Sequence, residues 1–340
     1  MKTPLQDVTA ARGAQFGDEH GWQVPESFGA PEEEYRALKQ GAGLVDLSGR
    51  GKIAVTGEDR VRWLHGMVTN DIKGLAAGQG SYCFVLTAQG RIIADLQALV
   101  EAERILLDCE PFLTAKLISV LEHYIIMDRV ELADLTPKLG TIGVEGPQAA
   151  ETVHSALGSR ELPQNSLDHI AAGENVVLRA DRGYWVLAPV PGLPGLWQRL
   201  EEAGARPVGF QALETVRIEA GVPRYGVDIE ETTLPQETGQ MRAIHFNKGC
   251  YIGQEIVERI RSRGHVNRQL IGLKAANGNL KAGARVEVEG KEIGRVTSVA
   301  RSPALGRAIA LAYLRREFAE PGKQVLVDGR PAEVSALPFA

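Results

Sequence analysis

The string Asn247-Lys248-Gly249-Cys250-Tyr251-Ile252-Gly253-Gln254-Glu255 packs a lysine, a thiol and two glycines directly ahead of an apolar-periodic stretch. Ile256, Val257 and Ile260 fall at the apolar positions of a helix that begins after Gly253. Cys250 then stands just before the positive end of that helix, with the cation of Lys248 two residues away, and both effects favour a thiolate. Such a group is nucleophilic and redox-sensitive where solvent reaches it, so Cys250 and Lys248 are candidate catalytic residues. The alternative reading is structural: the glycines make a tight turn and Cys250 is a small buried hydrophobe, as free cysteines often are. Just downstream, Arg259, Arg261, Arg263 and Arg268 crowd together with His265. Guanidinium groups bind carboxylates through paired, charge-assisted hydrogen bonds, with Glu255 and Glu258 expected to neutralise part of the cluster.

The elements that must hold these residues follow from periodicity and turn chemistry. The first 30 residues are rich in Gly, Pro, Gln and acids and read as an N-terminal extension. Pro31-Glu32-Glu33-Glu34 then starts a helix, with proline and acids in its first turn. Strands are expected at 51–56, 82–87, 92–100 and 104–107, and helices at 59–68 and 112–124. Ile53-Ala54-Val55-Thr56-Gly57 leading into a helix is echoed by Ile142-Gly143-Val144-Glu145-Gly146 leading into another, which suggests two similar α+β halves in a duplicated body. A third strand-to-helix passage, 184–188 then 194–203, leads to a helix over 210–220. After Arg268 six short strand candidates follow, at 270–273, 285–288, 294–299, 308–313, 324–327 and 332–334. The turns Glu289-Gly290-Lys291 and Asp328-Gly329-Arg330 are hairpin signals, so a small antiparallel β-barrel is expected. The domain reading is therefore an extension over 1–30, an α+β body of two subdomains over 31–264, and a C-terminal barrel over 265–340.

Composition bounds the function. At 340 residues the chain exceeds one ordinary core, and its 44% hydrophobic and 24% charged residues are those of a soluble globular protein. No apolar run approaches the length needed to cross a bilayer and the N-terminus lacks the apolar core of a secretory signal, so a cytoplasmic location and no membrane partner are expected. Cys83, Cys109 and Cys250 are an odd, widely spaced set, which argues against a disulfide framework, a paired metal site or an iron-sulfur ligand set. A formal net charge of −5 argues against stable nucleic-acid binding, although the arginine cluster and a small barrel could form a local RNA-binding patch.

Read with Leu234-Pro235-Gln236-Glu237-Thr238 before it and the arginines 259–268 after it, the cysteine string resembles the signature of the YgfZ-type folate-binding proteins, relatives of the glycine cleavage T-protein (GcvT) aminomethyltransferases. The likeness extends to Arg217-Ile218-Glu219-Ala220-Gly221, to Thr69-Asn70-Asp71 and to Gly78-Gln79-Gly80-Ser81-Tyr82. It implies three domains around a central opening and tetrahydrofolate, or a one-carbon derivative of it, as cofactor. A folate offers a pterin edge with N–H donors, a flat body and an anionic tail, so its site needs a carboxylate, apolar or aromatic walls and cations. The resemblance assigns the carboxylate to Glu219, places Asn70 and Tyr251 at the ligand, and leaves Arg259 and Arg261 as cations for the tail. In Gly90-Arg91-Ile92-Ile93-Ala94-Asp95-Leu96, Asp95 matches one member of the Asp-Asp pair of the aminomethyltransferases and Ala94 replaces the other. From this balance the expected function is a tetrahydrofolate-binding protein that assists iron-sulfur cluster assembly or repair in client proteins, with Cys250 as its thiol. The alternative is an aminomethyltransferase or related folate-dependent one-carbon transferase, in which Asp95 does acid-base work.

Overall fold

The structure is a computed structural model that describes residues 1–158 and 161–339, with Arg263 described by its backbone alone. In chain order its elements are α1 (Gln6–Ala10), β1 (Gln15–Glu19), β2 (Trp22–Ser27), α2 (Pro31–Gln40), β3 (Gly43–Asp46), β4 (Gly51–Thr56), α3 (Arg60–Met67), β5 (Gly80–Leu86), β6 (Ile92–Val100), β7 (Ile105–Cys109), α4 (Thr114–Glu122) and β8 (Glu131–Asp134). Then come β9 (Leu139–Glu145), α5 (Ala149–Leu157), β10 (His169–Ala172), β11 (Asn175–Ala180), β12 (Gly183–Pro189), α6 (Leu193–Glu202), β13 (Arg206–Val208), α7 (Phe210–Glu219) and α8 (Gln254–Arg263). The chain ends in β14 (Arg268–Ala275), β15 (Arg285–Val288), β16 (Lys291–Ser302), β17 (Arg307–Arg315), β18 (Gln324–Val327) and β19 (Arg330–Ser335). It divides into two compact units, Met1–Cys83 with Asp95–Leu213, and Phe84–Ala94 with Glu214–Ala340. No helix among the described residues is long and apolar enough to cross a membrane.

The expected duplication is visible as topology. One sheet runs β5-β6-β7-β4-β8 and the other β10-β11-β12-β9-β3-β13, so each half places its opening strand beside the last strand of a three-stranded meander. Each opening strand ends in a glycine at positive φ, Gly57 at 100° and Gly146 at 118°. An added Cβ would lie 2.0 Å from the Arg129 carbonyl oxygen at the first and 2.4 Å from that of Gly41 at the second. Only glycine makes both turns, which is why the two strand-glycine-helix strings look alike. Within the first unit, Leu99 and Leu106 from one sheet meet Leu178 and Leu187 from the other in a shared apolar layer. The six-stranded sheet packs Ile142, Val144 and Val186 against Val153 of α5 and Leu196, Trp197 and Leu200 of α6. Residues 1–30, expected as an extension, form α1 and the β1–β2 hairpin, and Leu5 is fully buried in that same core.

In the second unit β14-β17-β16-β15-β18-β19 close into the expected antiparallel barrel. Ala308, Ala310, Ala312 and Leu314 of β17 line its interior with Leu273, Val286, Val296 and Val334. The intervening Ile309, Leu311 and Tyr313 pack outside against Ile218 of α7 and partly buried Leu337 and Phe339. Because both faces are covered, β17 reads in sequence as a continuous apolar run.

Candidate active site

Three strands of the first unit lay a charged patch on one face of the five-stranded sheet. Asp108 of β7 pairs across to Lys52 of β4 on one side and to Gln97 of β6 on the other. Cross-strand partners share a face and side chains alternate, so one pair further on Glu110 comes level with Arg50 and with Asp95. Arg50 donates from Nε to Asp108 Oδ1 at 2.6 Å and from Nη1 to Glu110 Oε1 at 3.0 Å, while Lys52 Nζ lies 2.8 Å from Asp108 Oδ2. The Arg50 guanidinium also sits 5.1 Å from the ring centroid of Trp185 on β12. The Tyr82 hydroxyl, on β5, donates to Asp95 Oδ2 at 2.8 Å, and Asn70 Nδ2 donates to the Tyr82 carbonyl at 3.0 Å.

This setting separates the two aspartates chemically. Burial and then the nearby charge of Glu110 push the Asp95 carboxyl up to about 6, against the Tyr82 hydrogen bond and the attraction of Arg50. Burial acts on Asp108 in the same sense, but Arg50 and Lys52 outweigh it and hold that carboxyl below the ordinary range. Asp108 is therefore a fixed anion that neutralises two cations, whereas Asp95 is poised to exchange a proton near neutral pH. The Cys109 thiol, buried behind Asp108, is pushed up to about 12 chiefly by burial, which leaves it an inert packing group.

The remaining candidates lie in the second unit. Glu219, 7% exposed at the end of α7, accepts a hydrogen bond at 2.5 Å from the Ser302 hydroxyl of β16. Arg217 on the same helix donates to Asp228 and Ser298 at 2.7 and 2.9 Å, so this end of α7 is tied to the barrel. Cys250 is exposed, which removes the reading of it as a buried hydrophobe. It precedes α8, whose N-cap is Gly253 at φ 83°, and the Gln254 side chain accepts the Tyr251 N–H at 3.2 Å. Lys248 Nζ lies 5.1 Å from the centroid of the buried Tyr251 ring. Burial and the charge of Glu258 push the Tyr251 hydroxyl up to about 12, against Arg261. Arg261 pairs with Glu258 at 2.8 Å and stacks 4.8 Å from the Phe246 centroid. Arg259 is exposed, Arg268 pairs with Glu237 at 3.1 Å, and the side chain of Arg263 lies outside the described residues.

The structure thus joins Asn70 to Asp95 through Tyr82, and Lys248 to Tyr251, and it turns Arg261 toward its own helix. The sequence reading did not assign Tyr82, Arg50, Glu110, Asp108 or Lys52 to the site. Their signal was present as polar residues two apart, Arg50 with Lys52, Asp95 with Gln97 and Asp108 with Glu110, the period of one strand face.

Residues 5–248 match the GCVT N-terminal domain and residues 268–340 the glycine cleavage T-protein C-terminal barrel domain. An aminomethyltransferase of Rubrobacter xylanophilus is 34% identical, the match covering 99% of this chain and 94% of that one. An aminomethyltransferase of a Picosynechococcus species is 31% identical over 100% of this chain and 98% of its own length. The crystal structure of glycine cleavage system aminomethyltransferase T from Bartonella henselae superposes with a TM-score of 0.92 at 24% identity, covering 100% of this chain and 98% of that one, a likeness of fold. These findings overturn the expectation of an iron-sulfur assembly or repair protein, and iron-sulfur clients fall with it, because the full-length relatives carry the name of the alternative. That expectation leaned on the cysteine string, whose Gly253 and Gln254 also serve turn and cap geometry. With both domain matches in register with the observed body and barrel, the chain belongs to the glycine cleavage T-protein (GcvT) family.

Proposed function

We infer that this chain is a folate-dependent one-carbon transferase of the aminomethyltransferase type. The observation that carries the reading is Asp95, partly buried, hydrogen-bonded by Tyr82 and raised to about 6, in a chain whose full-length relatives are aminomethyltransferases. When a folate amine takes a one-carbon unit, the bond from that carbon to its donor breaks with the electron pair leaving on the donor, and the amine sheds a proton that a carboxylate with that affinity accepts at neutral pH. Tyr82 holds one carboxyl oxygen in place by its hydrogen bond. Ala94 argues against this chemistry less than the sequence string suggests. It is fully buried and projects from the opposite face of β6, so the acid that meets Tyr82 is retained.

Tetrahydrofolate is the acceptor this reading requires. Glu219 supplies a buried carboxylate at the end of α7, a group of the type that accepts from the N–H donors of a pterin edge. Tyr251 offers an aromatic wall and Arg259 an exposed guanidinium for the anionic tail. The likeness of 248–255 to the YgfZ-type branch is kept as a proposal about lineage within the family.

Purified protein incubated with tetrahydrofolate and an aminomethylated lipoyl carrier is expected to turn over, with simple N-methyl amines as the competing donors. Absence of transfer from every donor, with folate binding intact, overturns the reading.

A further inference from the structure

The cysteine string has a geometric partner that its composition does not disclose. Between β5 and β6 the chain reverses tightly: the Thr87 N–H donates to the Arg91 carbonyl at 2.8 Å, the Gly90 N–H to the Thr87 carbonyl at 2.9 Å, and Gly90 takes φ 73°. This tip belongs to the same compact unit as α8. A Cβ added to Gly253 would stand 2.5 Å from the Thr87 carbonyl oxygen, 3.0 Å from Leu86 Cβ and 3.2 Å from Gly90 Cα. From the other side, a Cβ on Gly90 would stand 2.8 Å from Ile256 Cβ. Two glycines therefore face each other where the start of α8 meets the hairpin tip, and neither backbone has room for a side chain. The departing strand is held as well, since Arg91 Nη1 donates to the Thr232 carbonyl and the Ile92 N–H donates to that of Thr233 at 3.0 Å.

Asp95 lies three residues along the strand from Ile92, about 10 Å of extended chain. We propose that Gly253 is a positioning residue for Asp95: the segment 248–255 is a seat for the hairpin tip, and the seat fixes where β6 begins and hence where the Asp95 carboxyl stands. The proposal rests on the reading of Asp95 as the proton acceptor. It gives the string a structural role that does not require the thiol. A misplacement of about 1 Å at a reacting group costs on the order of a hundredfold in rate. The groups facing Asp95 are Tyr82 from β5, Glu110 beyond the end of β7 and Arg50 ahead of β4, so a displaced carboxyl also changes the field in which it titrates.

The test compares Gly253→Ala, Gly253→Asn and, at the far end of the same helix, Gly264→Ala, whose Cβ meets nothing closer than 3.4 Å. Asparagine tolerates positive φ and would serve as a simple helix cap, so it separates backbone conformation from close approach. Both Gly253 variants are expected to lose about ten- to a hundredfold in kcat, with KM for tetrahydrofolate within about twofold and the acid limb of the pH-rate profile displaced. Gly264→Ala should match wild type. Ile256→Ala, which loosens the seat without a clash, should show the same signature more weakly, and it carries the test if the Gly253 variants do not fold. Wild-type kcat and pH limb in Gly253→Asn, or in Ile256→Ala, overturns the proposal. Asp95→Asn is assayed alongside: if it turns over normally the functional reading fails, whereas an inactive Asp95→Asn beside normal Gly253 variants sinks the positioning role alone.

Discussion

Replacing Asp95 by asparagine should make the protein more stable and much less active, and the two effects have one cause. The carboxyl titrates at about 6 in the fold against an ordinary 3.8, so ionisation opposes folding. Between these two values the unfolded chain has already released a proton that the folded protein retains, and stability falls as pH rises through that window. The full difference corresponds to about 3 kcal/mol above pH 6, and partial solvation of the side chain reduces the expected net value to about 1 to 2 kcal/mol. Asparagine keeps the shape and can still accept the Tyr82 hydrogen bond, so Asp95→Asn should melt ~2 to 6 °C above wild type at pH 7.5. The gap should narrow as pH falls from 6 to 4, where the wild-type carboxyl is protonated in both states. Transfer to tetrahydrofolate should drop about 10² to 10⁴-fold, the usual contribution of a positioned acid or base. Wild-type turnover should rise with pH through about 6, and the variant's residual rate should lack that limb. Melting curves at several pH values, beside initial rates of aminomethyl transfer, read both effects. A variant that is less stable at pH 7.5, or whose gap does not depend on pH, refutes the electrostatic argument; one that is more stable but fully active refutes the catalytic one.

Asp108→Asn should cost on the order of 3 to 5 kcal/mol by urea unfolding, because it leaves the buried Lys52 and Arg50 without their shared anion. Glu219→Gln should weaken tetrahydrofolate binding in a fluorescence titration by at least about tenfold while costing only about 1 kcal/mol of stability, since an amide oxygen still accepts from Ser302. Cys250→Ser, at an exposed position, should shift the unfolding free energy by less than about 0.5 kcal/mol and leave transfer rates within about twofold of wild type. A stable Cys250→Ser variant without transfer activity would put the thiol back into the mechanism.

Features set by local rules could be read from the residues in order. The barrel strands, the two-residue turns at Glu289-Gly290 and Asp328-Gly329 and the paired strand-glycine-helix units were legible because side-chain period, turn chemistry and positive φ act over a few residues. The motif at Glu219 and the single acid at Asp95 were legible as residue types. What those residues do was decided by tertiary structure. The Asp95 carboxyl is raised to about 6 because burial removes water and strand register brings Glu110 level with it, and neither burial nor register is written in the string around it. Asp108, a residue of the same type, is held as an anion because its neighbours across the strand are Arg50 and Lys52. Cys250 drew attention as chemistry through its neighbours in sequence, whereas the close approach its segment makes, Gly253 against Thr87 and Gly90, joins residues more than 150 positions apart. Electrostatic fields and close approaches depend on distances in space, and only the folded chain sets them.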